Sequence, residues 1–264
     1  MQLKHRVALN GAQLDAVDDR IIIRRVETGD PKINVSTVGL PADGSRVTAM
    51  TRESIDVTVK FCIRLKKKCM ADREAVLEKV NAWAAMGGKL TTNFKTDRKI
   101  MVFLAQPATA GDPWDWTKEY TLVFRACGVP YWQEDAGTST SKTAVSSSSF
   151  SMTVKGSARS VLDASFKNTS GSTVNTLTLN TGEAEMSFTG LGLANNETLE
   201  IDHEDNGKRC VPRIRIKGTG GAYRSALDKR SGSNDLYVTP GSRTITLTAG
   251  GAGNLTVTSC GRFA

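Results

Sequence analysis

Hydrophobic residues in this chain recur mainly at every second position, and this period of two constrains the fold more than any other feature. Between Ser54 and Leu65 the apolar residues fall on one side of the pattern, and charged or hydroxyl residues fall on the other. Because successive side chains of a β-strand point to opposite faces, the pattern predicts a strand with one buried face. The other strands predicted in this part of the chain are Arg20–Val26, Lys99–Leu104 and Trp116–Ala126.

One segment departs from this period and predicts a helix at about residues 72–87. The apolar residues that recur there at helical spacing are Val76, Leu77, Val80, Trp83 and Ala84. Asp72 is predicted to cap the first turn, and Gly87 and Gly88 are predicted to stop the helix. Trp83 lies on the apolar side of the pattern, which indicates a core residue rather than a ligand platform.

The composition changes abruptly at a Ser/Thr-rich stretch, residues 136–149. All four Trp precede it. Residues 1–133 contain 21 basic and 15 acidic side chains (+6), whereas residues 134–264 contain 14 and 12 (+2). Because such a stretch cannot bury a core, it predicts a linker or an exposed crossover. We therefore expect two domains, residues 1–135 and residues 150–264.

The second domain is predicted to be a β-sandwich, because short strand patterns are separated there by Gly, Asn, Asp and Pro turns. The predicted strands are Thr173–Leu179, Glu185–Phe188, Glu197–Ile201, Arg213–Lys217, Asp235–Val238, Thr244–Leu247 and Leu255–Val257. The run Gly250-Gly251-Ala252-Gly253 is predicted to be the turn of a hairpin between the last two. The fold class expected for the whole chain is mostly β, with one helix in the first domain.

Few side chains in the sequence can support catalysis or metal binding. The two histidines, His5 and His203, have no nucleophile elbow or comparable motif near them. The acidic run Asp202–Asp205 opens like a calcium loop, but Arg213 stands where that loop needs a glutamate. A hairpin that turns at Asn206-Gly207 explains the run better. We therefore predict no enzymatic activity, no catalytic or metal-binding residues and no cofactor.

Charge and hydropathy limit the partners that the chain can bind. The formal net charge of +8 suggests nucleic acid, but no zinc finger, helix-turn-helix or RNP motif accompanies it. Apolar runs are only a few residues long, so no transmembrane helix is predicted, and residues 1–6 lack the apolar stretch of a secretory signal. Five cysteines without a CxxC pair indicate reduced thiols. Sequence-specific nucleic-acid binding and a membrane partner are both unexpected.

Seven segments, in their order along the chain, carry a family resemblance. In the first domain they are Arg20–Val26, the Gly/Pro-containing Val38–Val47, the strand Ser54–Leu65, the helix Arg73–Trp83 and the aromatic ending Val123–Trp132. In the second domain they are Thr198–Asp202 and Ser231–Ile245. Taken together, they resemble the distal tail proteins of long, non-contractile-tailed bacteriophages over nearly the whole chain.

This resemblance implies a structural hub. Proteins of the family form a hexameric ring that joins the tail tube to the tip or baseplate. Their first domains, of a β-sandwich type with one helix, make the ring and the channel through which DNA passes, without sequence preference. Their second domains, galectin-like β-sandwiches, project outward as attachment points. The implied partners are further copies of the chain, the tail tube protein and tail-tip, tape-measure or receptor-binding proteins. The implied location is the tail tip of a virion assembled in the host cytoplasm.

Two sets of residues are predicted to take part in assembly. The Gly, Pro and polar content of residues 29–50 suits an arm against a neighbouring subunit, and a plain surface loop is the alternative. The predicted interface residues are Lys32, Asn34, Leu40, Pro41 and Arg46. The residues predicted to line the channel or meet acidic partners are Lys66, Lys67, Lys68, Arg98 and Lys99. For the lysine run, a solvated turn is the alternative.

A carbohydrate-binding β-sandwich is the alternative function. Sugar sites usually present an exposed Trp or Tyr that stacks on the sugar, surrounded by polar groups. The second domain has no Trp, and its only tyrosines are Tyr223 and Tyr237. The aromatic residues therefore favour a structural role for this domain, and sugar binding is kept as the second hypothesis.

Overall fold

β-Strands form most of the chain, as the alternating patterns predict. The computed structural model describes residues 5–30, 33–39, 45–65, 69–110, 118–126, 128–205 and 210–263. The chain divides into two compact units: the first comprises Met1–Trp132 with Asp205–Arg209, and the second comprises Gln133–Glu204 and Cys210–Ala264. None of the helices in the described ranges is long and apolar enough to cross a membrane.

The first unit combines a large antiparallel sheet with a separate hairpin and two helices. Its elements are β1 (Val7–Leu9), β2 (Ala12–Gln13), α1 (Leu14–Val17), β3 (Ile21–Thr28), β4 (Ile33–Gly39), β5 (Ser45–Arg52), β6 (Ile55–Ile63), α2 (Met70–Ala85), β7 (Gly88–Thr92), β8 (Lys95–Gln106) and β9 (Tyr120–Ala126), with β10 (Trp132–Glu134) at the boundary. The large sheet has the order β2-β1-β7-β8-β9-β6-β3, whereas β4 and β5 pair only with each other in the described part of the chain. The predicted alternation is confirmed on β6 and β9, where every second residue is buried except Ile63 at the end of β6.

Helix α2 confirms the predicted apolar face and corrects the predicted start. All five apolar residues at helical spacing are buried. Trp83 is 5% exposed, and its Nε1 donates a hydrogen bond to the carbonyl oxygen of Ala12 at 3.0 Å. The helix begins at Met70, and Cys69 rather than Asp72 occupies the cap position. Since Met and Ala favour helix, the helix starts earlier, and Asp72 lies in its first turn, where the helix dipole favours an acid.

A second, four-residue helix, α1, was not predicted, and the residue that follows it anchors a charge network. The Asp18 carboxylate accepts hydrogen bonds from Arg20 Nε at 2.8 Å and Arg20 Nη2 at 2.9 Å, and from Lys79 Nζ of α2 at 3.1 Å. Its side chain is only 5% exposed. Hydrogen bonds from Arg20 hold the pKa of Asp18 well below its usual range, although burial opposes this shift. The network ties β3 to α2.

We expect Asp18→Asn to destabilise the first unit by about 2 kcal/mol at pH 7, because charge-assisted hydrogen bonds to a buried carboxylate are lost. A carboxyl whose pKa is lowered on folding stabilises above its unfolded pKa, about 3.9, and this contribution disappears as the pH falls toward the folded value. The difference between wild type and Asp18→Asn should therefore hold from pH 7 to about 5 and shrink below about 4.

Urea unfolding followed by Trp fluorescence measures this difference, because all four Trp lie at or before residue 132. The matched control is Asp19→Asn, which removes the neighbouring, exposed carboxylate. Equal stability of the Asp18→Asn and Asp19→Asn variants at pH 7 would contradict the role given to the network.

The second unit is built on two long strands. Its elements are β11 (Thr138–Val154), β12 (Ser160–Asn168), β13 (Leu177–Asn180), β14 (Glu185–Phe188), β15 (Thr198–Asp205), β16 (Cys210–Lys217), β17 (Tyr223–Ser225), β18 (Arg230–Gly232), β19 (Tyr237–Val238), β20 (Gly241–Ser259) and β21 (Arg262–Phe263), with a 3₁₀ turn at Leu227–Lys229. The strand order is β17-β16-β15-β12-β20-β13-β14-β18, and β11 follows the other edge of β20. The inward side chains of these strands form one apolar cluster, which includes Phe166, Leu179, Phe188 and Ile216.

The glycine run predicted as a hairpin turn lies inside a continuous strand, so that prediction was wrong. Strand β20 pairs with β13 up to Ala249, before the run, and with β12 from Gly253, the last glycine of the run, onward. The glycines serve close packing instead of a turn. A Cβ on Gly253 would lie 2.3 Å from Cζ of Phe166, and a Cβ on Gly251 would lie 2.9 Å from Cγ2 of Val174. Strand β20 therefore passes close to its neighbours where no side chain fits.

The Ser/Thr-rich stretch forms most of strand β11, which corrects its prediction as a linker or crossover. Its hydroxyls pair with those of β20: Ser139 Oγ lies 2.7 Å from Thr258 Oγ1, and Ser141 Oγ lies 2.9 Å from Thr256 Oγ1. A strand at the surface of a sheet needs apolar contacts on one face only. Backbone hydrogen bonds to β20 supply the remaining stabilisation of β11. Composition alone therefore gave the wrong local structure.

Candidate functional site

A hairpin that forms its own sheet is the most distinctive surface of the first unit. Strands β4 and β5, which we call the arm, are inserted between β3 and β6, and those two strands pair with each other as far as Thr28 and Val57. No third strand pairs with the arm among the described residues. Its two outer edges therefore present backbone N–H and C=O groups to any added strand. The two strands of the arm fall in the predicted segment 29–50, except that β5 continues two residues beyond it, to Arg52.

The arm exposes apolar side chains that the sequence prediction missed. Ile33, Val35 and Val47 share one face by strand register and are 50%, 49% and 53% exposed, and Val38 on the other face is 56% exposed. Apolar β-branched residues grouped in this way mark interaction surfaces. Ile33 and Val35, two positions apart and each followed by a polar residue, were the signal in the sequence that could have identified this face.

Two of the predicted interface residues lie on the arm, and both are exposed. Asn34 on β4 donates a hydrogen bond from Nδ2 to Oε1 of Glu53 at 2.7 Å, and Arg46 on β5 pairs with Val38. Both residues occupy the face opposite to Ile33, Val35 and Val47. The other three residues of this prediction lie outside the described residues; they are Lys32, Leu40 and Pro41.

Two of the five predicted electrostatic residues, Arg98 and Lys99, lie in the described part of the chain. Arg98 and Lys99 are both half-buried. Because they are consecutive on β8, their side chains leave the strand on opposite faces. Arg98 Nε lies 3.8 Å from Oδ1 of Asp97, and Lys99 pairs with Thr91. The lysine run 66–68 lies outside the described residues.

Both histidines contact neighbouring side chains. The His203 side chain is 2% exposed, and its Nδ1 lies 2.8 Å from Oδ1 of Asp163, which also accepts the His203 backbone N–H at 3.0 Å. The His5 ring contacts Phe94 edge to face. Among the described residues, no group of three or more His, Cys, Asp or Glu side chains could hold a metal ion.

Comparison with known proteins identifies the fold. The chain has the fold of a phage tail hub protein, and within this class that of a distal tail protein. The solved structure that carries this likeness is SPP1 Dit (gp 19.1), described as a paradigm of the hub adsorption apparatus in phages that infect Gram-positive bacteria. It aligns with a TM-score of 0.70 at 15% identity, over 98% of this chain and 99% of that one.

The other comparisons add no further support. Two structures of the phage P2 baseplate in its activated conformation, one with Ca and one with Sr, align with TM-scores of 0.47 and 0.44 at 7% and 8% identity. They cover 98% and 96% of this chain and 98% and 97% of theirs, but likeness at this level carries no argument. No family model and no curated protein matches the sequence.

Proposed function

We propose that this protein is a non-enzymatic structural hub of a phage tail. The observation that carries the proposal is the likeness to SPP1 Dit over nearly the whole of both chains, at a TM-score of 0.70. The protein would then be a component of the virion at the tail tip, assembled in the host cytoplasm. Its partners would be the tail tube protein and tail-tip, tape-measure or receptor-binding proteins.

In this proposal six copies form a closed ring, and each arm packs on a neighbouring copy. The two open edges of the arm and its exposed face of Ile33, Val35 and Val47 support this contact. A ring gives every copy the same head-to-tail contact, so each arm is covered and none is left over. Lys32, Asn34, Leu40, Pro41 and Arg46 are proposed to belong to that interface, and the second units, proposed to be galectin-like, would carry the attachment points.

Native mass spectrometry of the purified chain tests the ring directly. The expected result is a hexamer whose population rises with protein concentration. A protein that stays monomeric at the highest soluble concentration, and with the tail tube protein added, would contradict the ring.

The channel of the ring is proposed to carry the basic residues Lys66, Lys67, Lys68, Arg98 and Lys99, past which DNA moves without sequence readout. We expect the assembled ring to bind a short duplex weakly at low salt. The variant with glutamate at positions 66–68 should bind it at least about tenfold more weakly, since each lost phosphate contact removes counterion release. Fluorescence anisotropy at several salt concentrations measures both the affinity and its salt dependence.

The matched control for this prediction changes the same amount of charge in the second unit, by replacing Lys142, Lys167 and Lys229 with glutamate. It should leave duplex binding nearly unchanged. Equal losses in the two triple variants would show a general charge effect, and the lysine run would then be a solvated turn.

A further inference from the structure

One face of the second unit carries a depression whose purpose the hub proposal does not explain. It has a volume of about 310 Å³, at the lower end of the range of small-molecule sites, which spans about 300–1,000 Å³. The residues that line it come from β12, β15 and β20 and are Asp163, Ala164, Ser165, Glu200, Ile201, Asp202, Thr256 and Thr258. Along each strand the polar members alternate with buried apolar ones, so the polar side chains face outward.

Charged partners hold the carboxylates of this depression in place. The Glu200 carboxylate accepts a hydrogen bond from Arg215 Nε at 3.0 Å, and Arg215 Nη2 lies 2.9 Å from it. Asp202 accepts from Arg213 Nε at 2.7 Å, Arg213 Nη2 at 3.3 Å and Arg215 Nη2 at 3.3 Å. The third carboxylate, Asp163, accepts from the backbone N–H of His203. A carboxylate offers about four acceptor positions, and these contacts use only part of them. Acceptor positions therefore remain on these carboxylates, and the two guanidiniums balance the charge of Glu200 and Asp202.

Hydroxyl groups continue the same face across β20 and β11. Thr256 and Thr258 line the depression, and the hydroxyls of Ser141 and Ser139 pair with them from the Ser/Thr-rich strand. From one side of the sheet to the other, the surface presents guanidiniums, then carboxylates, then paired hydroxyls. Guanidiniums only donate hydrogen bonds, carboxylates only accept them, and hydroxyls do both.

We propose that this depression binds a neutral saccharide. Sugar hydroxyls each donate and accept, so they match a surface on which fixed acceptors stand between donors. A cation is disfavoured, because two guanidiniums already balance the charge of Glu200 and Asp202 and the described residues contain no group of metal ligands. An anion is disfavoured, because the guanidiniums are directed to the carboxylates. The site does not depend on ring formation.

The aromatic surface expected of a sugar site is present at the edge of the sheet. Tyr223 on β17 is 50% exposed, and the Arg215 guanidinium lies 4.0 Å from the centre of its ring. The same arginine thus fixes both Tyr223 and Glu200. Tyr223, at the edge of the sheet, would stack on the sugar, while hydrogen bonds from the depression would orient it.

Saccharide titration of the full-length protein tests the proposal. The probes are glucose, galactose and N-acetylglucosamine and their β-linked disaccharides, followed by calorimetry and saturation-transfer NMR. At least one should bind with a dissociation constant of about 1 mM or lower. Thr258→Val, which replaces the hydroxyl with a methyl group, and Glu200→Gln should each weaken that binding about tenfold, because one hydrogen bond to the sugar is lost.

The matched control is Thr178→Val, which breaks a comparable hydroxyl pair with Ser187 (3.0 Å) between β13 and β14. It should bind the saccharide like wild type, and unchanged thermal unfolding of Thr258→Val should show that its fold is intact. No binding by any probe, equal binding by Thr258→Val and wild type, or binding of inorganic phosphate in place of the sugars would each overturn the proposal.

Discussion

Deletion of residues 32–48 is expected to convert the assembled protein into a folded monomer. The deletion removes most of the arm and leaves the large sheet of the first unit intact, because β3 and β6 pair with each other on either side of the insertion. Gly29 N–H donates to the carbonyl oxygen of Asp56 at 2.8 Å and closes that pair at its open end. The remaining residues bridge the two strands as a short surface loop, which costs little closure entropy.

The expected loss is large because the arm supplies both unpaired strand edges and apolar area to the proposed contact. Native mass spectrometry and light scattering should show the hexamer replaced by monomer, with unchanged circular dichroism. A hexamer that survives the deletion would exclude the arm from the interface.

A triple point variant separates the apolar face from the strand edges. Ile33→Ser, Val35→Ser and Val47→Ser together keep the arm and remove its apolar side chains. At about 25 cal/mol per Å² of apolar area, their burial contributes several kcal/mol to each contact. The matched control is Leu227→Ser, an equally exposed apolar residue of the second unit (52%), which should leave the hexamer intact.

Local patterns predicted the elements whose stability comes from one buried face. The alternation on β6 and β9 and the helical spacing on α2 specify which side chains enter the core, and packing confirms each of them. The start of α2 was less predictable, because Cys69 caps it without a side-chain hydrogen bond and left no signal in the sequence. Periodicity reports burial better than it reports boundaries.

Long-range pairing explains the predictions that failed. The Ser/Thr-rich stretch becomes strand β11 only because β20, from the end of the chain, pairs with it along nearly its whole length. The glycine run stays extended because Phe166 and Val174 leave no room for side chains there. Neither partner is near in sequence, so composition predicted a linker and a turn. For the arm, the prediction of an extended segment rested on its glycine, proline and polar residues, and its exposed apolar side chains were missed.

The same dependence on distant partners gives Gly156, among the described glycines, a large expected effect on stability. Its φ is +115°, a conformation that side chains rarely adopt, and a Cβ there would lie 2.2 Å from the carbonyl oxygen of Arg262. That oxygen accepts the backbone N–H groups of Ser157 at 2.8 Å and Ala158 at 3.0 Å. The glycine thus lets the end of the chain close against the turn after β11.

Gly156→Ala is therefore expected to destabilise the second unit by about 3 kcal/mol or more, from backbone strain and a clash that displaces two hydrogen bonds. For a unit of this size the loss lowers the Tm by about 10 °C, which calorimetry measures. Two controls divide the effect. Gly182→Ala has positive φ (+79°) but open space, and should cost about 1 kcal/mol; Gly220→Ala has open space without positive φ and should cost almost nothing. If Gly156→Ala matches Gly182→Ala, the clash is relieved by a shift of Arg262, and closure of the chain end contributes little to the stability of the unit.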